Sequence, residues 1–134
     1  MTTLTTEYKG TLRTENIHTR SGDKVITDAP VDNQGKGEAF SPTDLVCTAL
    51  SSCMITTMGI LAEREGVDMR GMQTEVVKIM GSSPRKIAEI QVTLSHPTLQ
   101  ATDVQKQKLR NAALTCPVAL SLHDSVKQTV TFNF

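Results

Sequence analysis

Between Leu45 and Leu61 the chain carries no charged residue. The run lies within SPTDLVCTALSSCMITTMGI (41–60), whose start reads as a helix N-terminus: Ser41 as cap, Pro42 at the first helical position, and Asp44 in the first turn, where the helix dipole favours negative charge. The helix is expected to end at Gly66. Leu45, Val46, Ala49, Leu50, Cys53, Met54, Ile55, Met58, Ile60 and Leu61 spread over most of its circumference. A helix apolar nearly all round must be buried on nearly all sides. A chain of 134 residues has one sheet to set against it, so a second copy is the expected cover for the remaining face, and the chain is expected to be a homodimer.

That length suits one globular domain, residues 1–134, with 38% hydrophobic and 21% charged residues. Fourteen basic residues balance fourteen acidic ones and the pI is near 6.8, so no overall field draws the chain to nucleic acid or to an anionic membrane. Aromatic residues are 3% with no tryptophan, which removes the stacking platforms of a single-strand binder. The start, MTTLTTEYKG, lacks the pattern of a secretory signal, and no stretch reaches the roughly 18 uncharged apolar residues of a membrane span. A soluble, cytoplasmic protein is the expectation. Three cysteines are an odd count, which in a reducing compartment favours free or redox-active thiols over a disulfide framework.

Residues 4–28 alternate loosely and are expected to form two or three antiparallel strands, with a turn at Ser21-Gly22-Asp23. DAPVDNQGKGEAF (28–40) reads as a loop leading into the helix, and its Gly35-Lys36-Gly37 as a flexible stretch rather than a phosphate-binding loop. VDMRGMQTEVVKIM and RKIAEIQVTLSHP, separated by Gly81-Ser82-Ser83-Pro84, read as a long hairpin, with Ile87, Ile90, Val92 and Leu94 on its apolar side. A second helix is expected from Thr102 or Asp103 through Leu114, with Val104, Leu109, Ala112 and Ala113 inward. Pro117 opens a short helix to about His123, and 126–134 alternate as a closing strand.

The chemistry available is that of thiols. Cys116 precedes Pro117 and so falls at or beside the N-cap of a short helix, where unpaired N–H groups and the dipole stabilise a thiolate. It is the thiol most easily activated by its own backbone. Cys53 is about three turns into its helix, so an ionising partner must come from elsewhere in space; Arg13 and Arg20 on the N-terminal strands are the candidates. Cys47 stands six positions before Cys53, about 120° round the helix, and the two cannot pair with each other. Free cysteine usually serves as a small hydrophobe, and Cys47 reads as one. His18, His96 and His123 form no local cluster and no cysteine spacing fits a metal, so neither metal nor bound cofactor is expected.

SPTDLVCTALSSCMITTMGI resembles the N-P-E-x-L … C motif at the head of the central helix of the osmotically inducible protein C / organic hydroperoxide resistance superfamily. LTCPVALSL (114–122) resembles its second cysteine motif, and the strands before, the hairpin between and the final strand match in order. The resemblance spans essentially the whole chain. It implies an α+β fold, with antiparallel sheets wrapped around two long central helices in an intertwined homodimer. It also implies a thiol peroxidase for organic hydroperoxides, with Cys53 forming a sulfenic acid, Cys116 resolving it to a disulfide, and a dithiol, such as a lipoylated protein, as reductant. Where the superfamily carries a glutamate to orient its arginine, this chain has Thr43, with Asp44 and Glu38 nearby; Arg20 is the first choice for that arginine and Arg13 the second. Met54, Met58 and Ile55 are expected to form an apolar pocket for the peroxide. The pattern points to a divergent subgroup, for which a non-catalytic, small-molecule or lipid-binding dimer is the alternative.

Overall fold

Two separate three-stranded sheets and one long helix account for most of the chain in a computed structural model that describes residues 1–134. The strands β1 (Leu4–Gly10), β2 (Arg13–His18) and β3 (Lys24–Asp28) form an antiparallel meander, and β4 (Gln73–Gly81), β5 (Lys86–Ser95) and β6 (Lys127–Asn133) form a mixed sheet with β5 in the middle. The helices are α1 (Pro42–Glu65), α2 (Asp103–Leu114) and α3 (Pro117–Ser121). The chain divides into two compact units, residues 1–46 and 47–134. The fold is α+β.

In the first unit, β2 pairs with both neighbours, and its register with β3 sets Arg13 directly opposite Asp28. The fully buried residues of this unit are Thr27, Asp28 and Ser41, all polar. Its large apolar side chains, Leu4, Tyr8, Leu12, Val25, Val31 and Phe40, are exposed, and Leu4, Ile17, Val25 and Leu45 border a hollow of about 250 Å³. A three-stranded sheet normally needs an apolar face packed on something to be stable. The unit therefore holds apolar surface without an apolar core of its own.

The loop 29–40 is tighter than its composition suggests. A Cβ on Gly35 would fall 1.7 Å from the Ala29 carbonyl oxygen, so only glycine allows this approach. The N–H of Gly35 donates to Pro30 O and that of Gly37 to Ala29 O, which folds the segment back on itself. The expectation of a flexible stretch at 35–37 is thus corrected: backbone bonds and close contact hold it. The loop ends where Asp28 N–H donates to Phe40 O, beside a bridge between Thr27 and Phe40.

α1 starts as its sequence demands. Ser41 Oγ accepts from Asp44 N–H while the Asp44 carboxylate accepts from Ser41 N–H, a reciprocal cap that satisfies two of the donors a helix start leaves unpaired. Along the helix the buried residues are Cys47, Leu50, Ser51, Met54, Met58 and Ala62, a single stripe at three- and four-residue spacing. Ile60 is 51% exposed. An 18-residue window averages a hydropathy of 1.8, so by length and composition α1 would suffice to cross a bilayer, a property that counting uncharged residues understated. A third of that window is buried within the chain, and the rest is partly or fully exposed.

The core of the second unit lies on one face of β5, where Ile87, Ile90, Val92 and Leu94 are buried. Each such side chain contributes about 1.5–3 kcal/mol by leaving water. The spacing from Ile87 to Ile90 breaks a strict alternation. A register shift explains it: Ile79 pairs with Glu89 but Met80 with Ile87, so Ala88 is the extra residue of a bulge, and both isoleucines return to one face. β4 begins at Gln73; the segment 67–72, expected as strand, is a turn held by Met72 N–H donating to Met69 O. β6 runs parallel to β5, which requires the crossover that α2 and α3 supply. α2 opens on a capping box between Thr102 and Gln105 and buries Leu109 and Ala113. Val104, expected inward, is 67% exposed because it sits in the first turn, off that stripe. α3 ends at Ser121, two residues short of the expected His123.

Candidate active site

Two helices bring two thiols together. Cys53 is half-buried at the edge of the α1 stripe, its Sγ 4.0 Å from Thr57 Oγ1 one turn on. Cys116 is fully buried at the N-cap of α3, and the geometry is the one its sequence promised: extended backbone, Pro117 in the first turn, and the Ala119 N–H donating to Sγ at 3.4 Å. The Cys53 thiol is among the groups that bear directly on the Cys116 thiol. Both are free thiols, as is the buried Cys47.

The Cys116 thiol runs against the expectation that its own backbone would activate it. Burial pushes its thiol up from the ordinary value; the Ala119 and Val118 N–H groups pull down, and the hydrogen bond and charge of Cys53 push up again. Complete desolvation of a sulfur anion outweighs the donors of a five-residue helix. Cys116 therefore holds its proton more tightly than an exposed thiol would. Met54 and Met58 have no exposed surface and belong to the core, so they do not line a pocket as expected.

In the first unit a guanidinium is gripped by two carboxylates. Arg13 Nε and Nη2 donate to the two oxygens of Asp28 at 2.8 Å each, and Nη2 also donates to Glu38 at 3.2 Å. Asp28 is 1% exposed and additionally accepts a backbone N–H from Glu38. Hydrogen bonding by Arg13 outweighs burial and holds the Asp28 carboxyl below its ordinary range, while the same contact raises Arg13. Glu38 keeps most of its side chain in water. Arg20 lies exposed on the β2–β3 turn, at the rim of a hollow of about 480 Å³, and makes no side-chain hydrogen bond or ion pair. Asp44 is occupied in the α1 cap. Asp28, the first residue of the expected loop, is instead the last residue of β3, placed across from Arg13 by the hairpin register.

Comparison with known proteins places this arrangement in context. A family model described as OsmC-like protein matches residues 35–131. The crystal structure of a Psychrobacter arcticus 273-4 protein, named for an osmotic stress induced and detoxification response, superposes with a TM-score of 0.94 at 47% identity, covering 99% of this chain and 96% of that one. An OsmC-like protein of Mycoplasma pneumoniae gives 0.79 at 14% identity, with 97% and 94% covered. An organic hydroperoxide resistance protein of Legionella pneumophila gives 0.72 at 15% identity, with 100% and 98% covered. No curated protein matches the chain. Matched over most of its length by the family model and over nearly all of it by a structure at 47% identity, the chain belongs to the OsmC-like protein family.

Proposed function

We propose that this chain is a two-cysteine peroxidase that reduces organic hydroperoxides. The observation that carries the reading is that Cys116, buried at the N-cap of α3, has the half-buried Cys53 of α1 as an interacting neighbour, both as free thiols. The Cys53 thiolate attacks the terminal peroxide oxygen, the O–O bond breaks, and the alkoxide that leaves takes up the proton Cys53 released on ionising to become the alcohol, so sulfur is oxidised to sulfenic acid and the peroxide is reduced. The Cys116 sulfur then displaces the sulfenic hydroxyl, its own proton leaves with that hydroxyl as water, and a disulfide forms. A dithiol reductant returns both thiols by exchange. Names given to structural relatives, organic hydroperoxide resistance proteins among them, support the same chemistry.

The test is consumption of cumene hydroperoxide by the reduced protein with a dithiol, followed by intact mass. Consumption together with loss of two hydrogens, mapped to Cys53 and Cys116, supports the reading; no consumption with all thiols free ends it. Thr43, where the superfamily has a glutamate, favours a second reading as a small-molecule or lipid-binding dimer. Retention of a lipid-like ligand without peroxide turnover would select that one.

We further propose that the working form is a homodimer. The open apolar side of α1 and the coreless apolar surface of the first unit both call for a cover. The native mass is expected at twice 14.6 kDa, and Ile60→Glu, which sets a charge on the open side of α1, is expected to reduce it to the single-chain value. Light scattering behind a sizing column decides this; a wild-type protein running as one chain would sink the dimer.

A further inference from the structure

We propose that α3 is a redox switch: bonding Cys53 to Cys116 withdraws the sulfur that caps this helix, frees residues 117–121 and opens the hollow beside them, a change whose physiological oxidant rests on the peroxidase reading above.

α3 has five residues, a length at which a helix has no stability of its own in water. It is held from outside at its start, its middle and its exit. At the start the Ala119 N–H donates to Cys116 Sγ at 3.4 Å. In the middle Gln128 Nε2 donates to Ala119 O at 3.0 Å from β6. At the exit His123 Nδ1 and the Lys86 ammonium both meet Ser125 Oγ, and the Val126 N–H donates to His123 O, which ties 122–126 to the start of β5. Of these anchors, the first alone uses an atom that thiol oxidation changes.

Free thiols keep van der Waals distance, whereas a covalent bond draws two sulfurs well inside it, so at least one of them must move. Cys53 belongs to a helix of 24 residues whose Leu50, Met54 and Met58 have no exposed surface. Moving it disturbs a packed core, which yields little. Cys116 stands at the end of the shortest α-helix in the fold, next to exposed Pro117 and followed by Leu120 at 72% exposure. The softer element moves, and its sulfur is the one that holds the Ala119 N–H.

The change has a use. Cys116 has no exposed surface in the reduced chain, so the state of its sulfur is hidden from any other molecule. A hollow of about 400 Å³ beside α3 is bordered by Ala119, Leu122, His123, Val126, Lys127 and Gln128. Loosening 117–121 widens it, brings the Cys116 sulfur toward the solvent from which a dithiol attacks, and carries the redox state to a surface that a second molecule can reach.

The measurement is hydrogen exchange, read by mass on peptides covering 115–126 and α1, in the reduced protein and in protein oxidised with diamide. Diamide takes one hydrogen from each thiol and so makes the disulfide without any peroxide. Digestion without reductant maps the bond and sets apart any bond to Cys47. The amides of Ala119 and Leu120 are expected to exchange about tenfold faster in the Cys53–Cys116 disulfide form, with α1 around Cys53 unchanged. Unchanged exchange at 117–121 overturns the proposal, as does faster exchange in α1 instead, or a diamide-treated protein in which Cys53 and Cys116 stay unbonded. Cys116→Ser treated alike is expected to show no change; a gain of exchange there would trace to diamide rather than to the bond and would overturn the switch as well. Cumene hydroperoxide consumption is measured alongside. Faster exchange after diamide with no peroxide turnover removes the peroxidase and leaves the switch; turnover with exchange at 117–121 unmoved removes the switch and leaves the peroxidase.

Discussion

Cys53→Ser is expected to abolish hydroperoxide consumption, by at least on the order of 10³-fold, while leaving the fold intact. A serine hydroxyl at this place has neither the acidity to supply an anion nor a sulfur to accept the peroxide oxygen. The structural cost is small because Cys53 is half-buried and bonded only weakly to Thr57, so a loss within about 1 kcal/mol is expected from a one-atom exchange. Unfolding midpoint and peroxide rate measured on one preparation separate the two effects. Residual turnover near the wild-type rate would place the nucleophile elsewhere, with Cys116 the remaining member of the pair.

The parts of the fold that depend on local rules were legible. Ser41, Pro42 and Asp44 set the start of α1, Gly66 its end, and Cys116-Pro117 the N-cap of α3, since caps and first-turn residues act within a few positions. What escaped depends on distant parts of the chain. The parallel pairing of β6 with β5 joins segments separated by two helices, and nothing in VKQTVTFNF distinguishes a parallel partner from an antiparallel one. The uneven step from Ile87 to Ile90 was visible, but its cause, a bulge at Ala88, appears only with the β4 register.

The site shows the same division. Both cysteines were legible by position, and the resemblance named their pairing. The raised pKa of Cys116 was not, because the helix N-terminus that favours its thiolate is local, whereas the burial that opposes it comes from the rest of the fold. Arg13 and Asp28 stand opposite each other across a hairpin whose turn, at Ser21-Gly22-Asp23, was recognised. Counting outward from that turn would have found the pair. The signal was present, but Asp28 opens a Pro- and Gly-rich segment and so was assigned to the loop.

Cys116→Ser is expected to leave the first reduction intact and to stop the cycle after it, trapping Cys53 as a sulfenic acid. Two consequences of burial support this. A sulfenic acid facing a serine has no thiol with which to condense, and Cys47, about 120° away round α1, cannot replace it. The Cys116 thiol itself is held above its ordinary pKa, so near neutrality it enters the resolving step with its proton, which then leaves with the sulfenic oxygen as water. The sign for stability follows from the same shift. A raised folded-state value means that the native protein holds this proton more tightly than the unfolded chain, so the contribution is complete below the ordinary thiol pKa, about 8.5, and is lost as pH rises through the higher folded value. Reduced wild type is expected to lose stability in that alkaline window, and Cys116→Ser to lack this component of the loss. A dimedone adduct at Cys53 in Cys116→Ser after one equivalent of peroxide, absent from wild type under the same conditions, establishes the resolving role. Sustained turnover in the variant would show instead that the external dithiol reduces Cys53 directly and that the buried thiol serves only to fill the core.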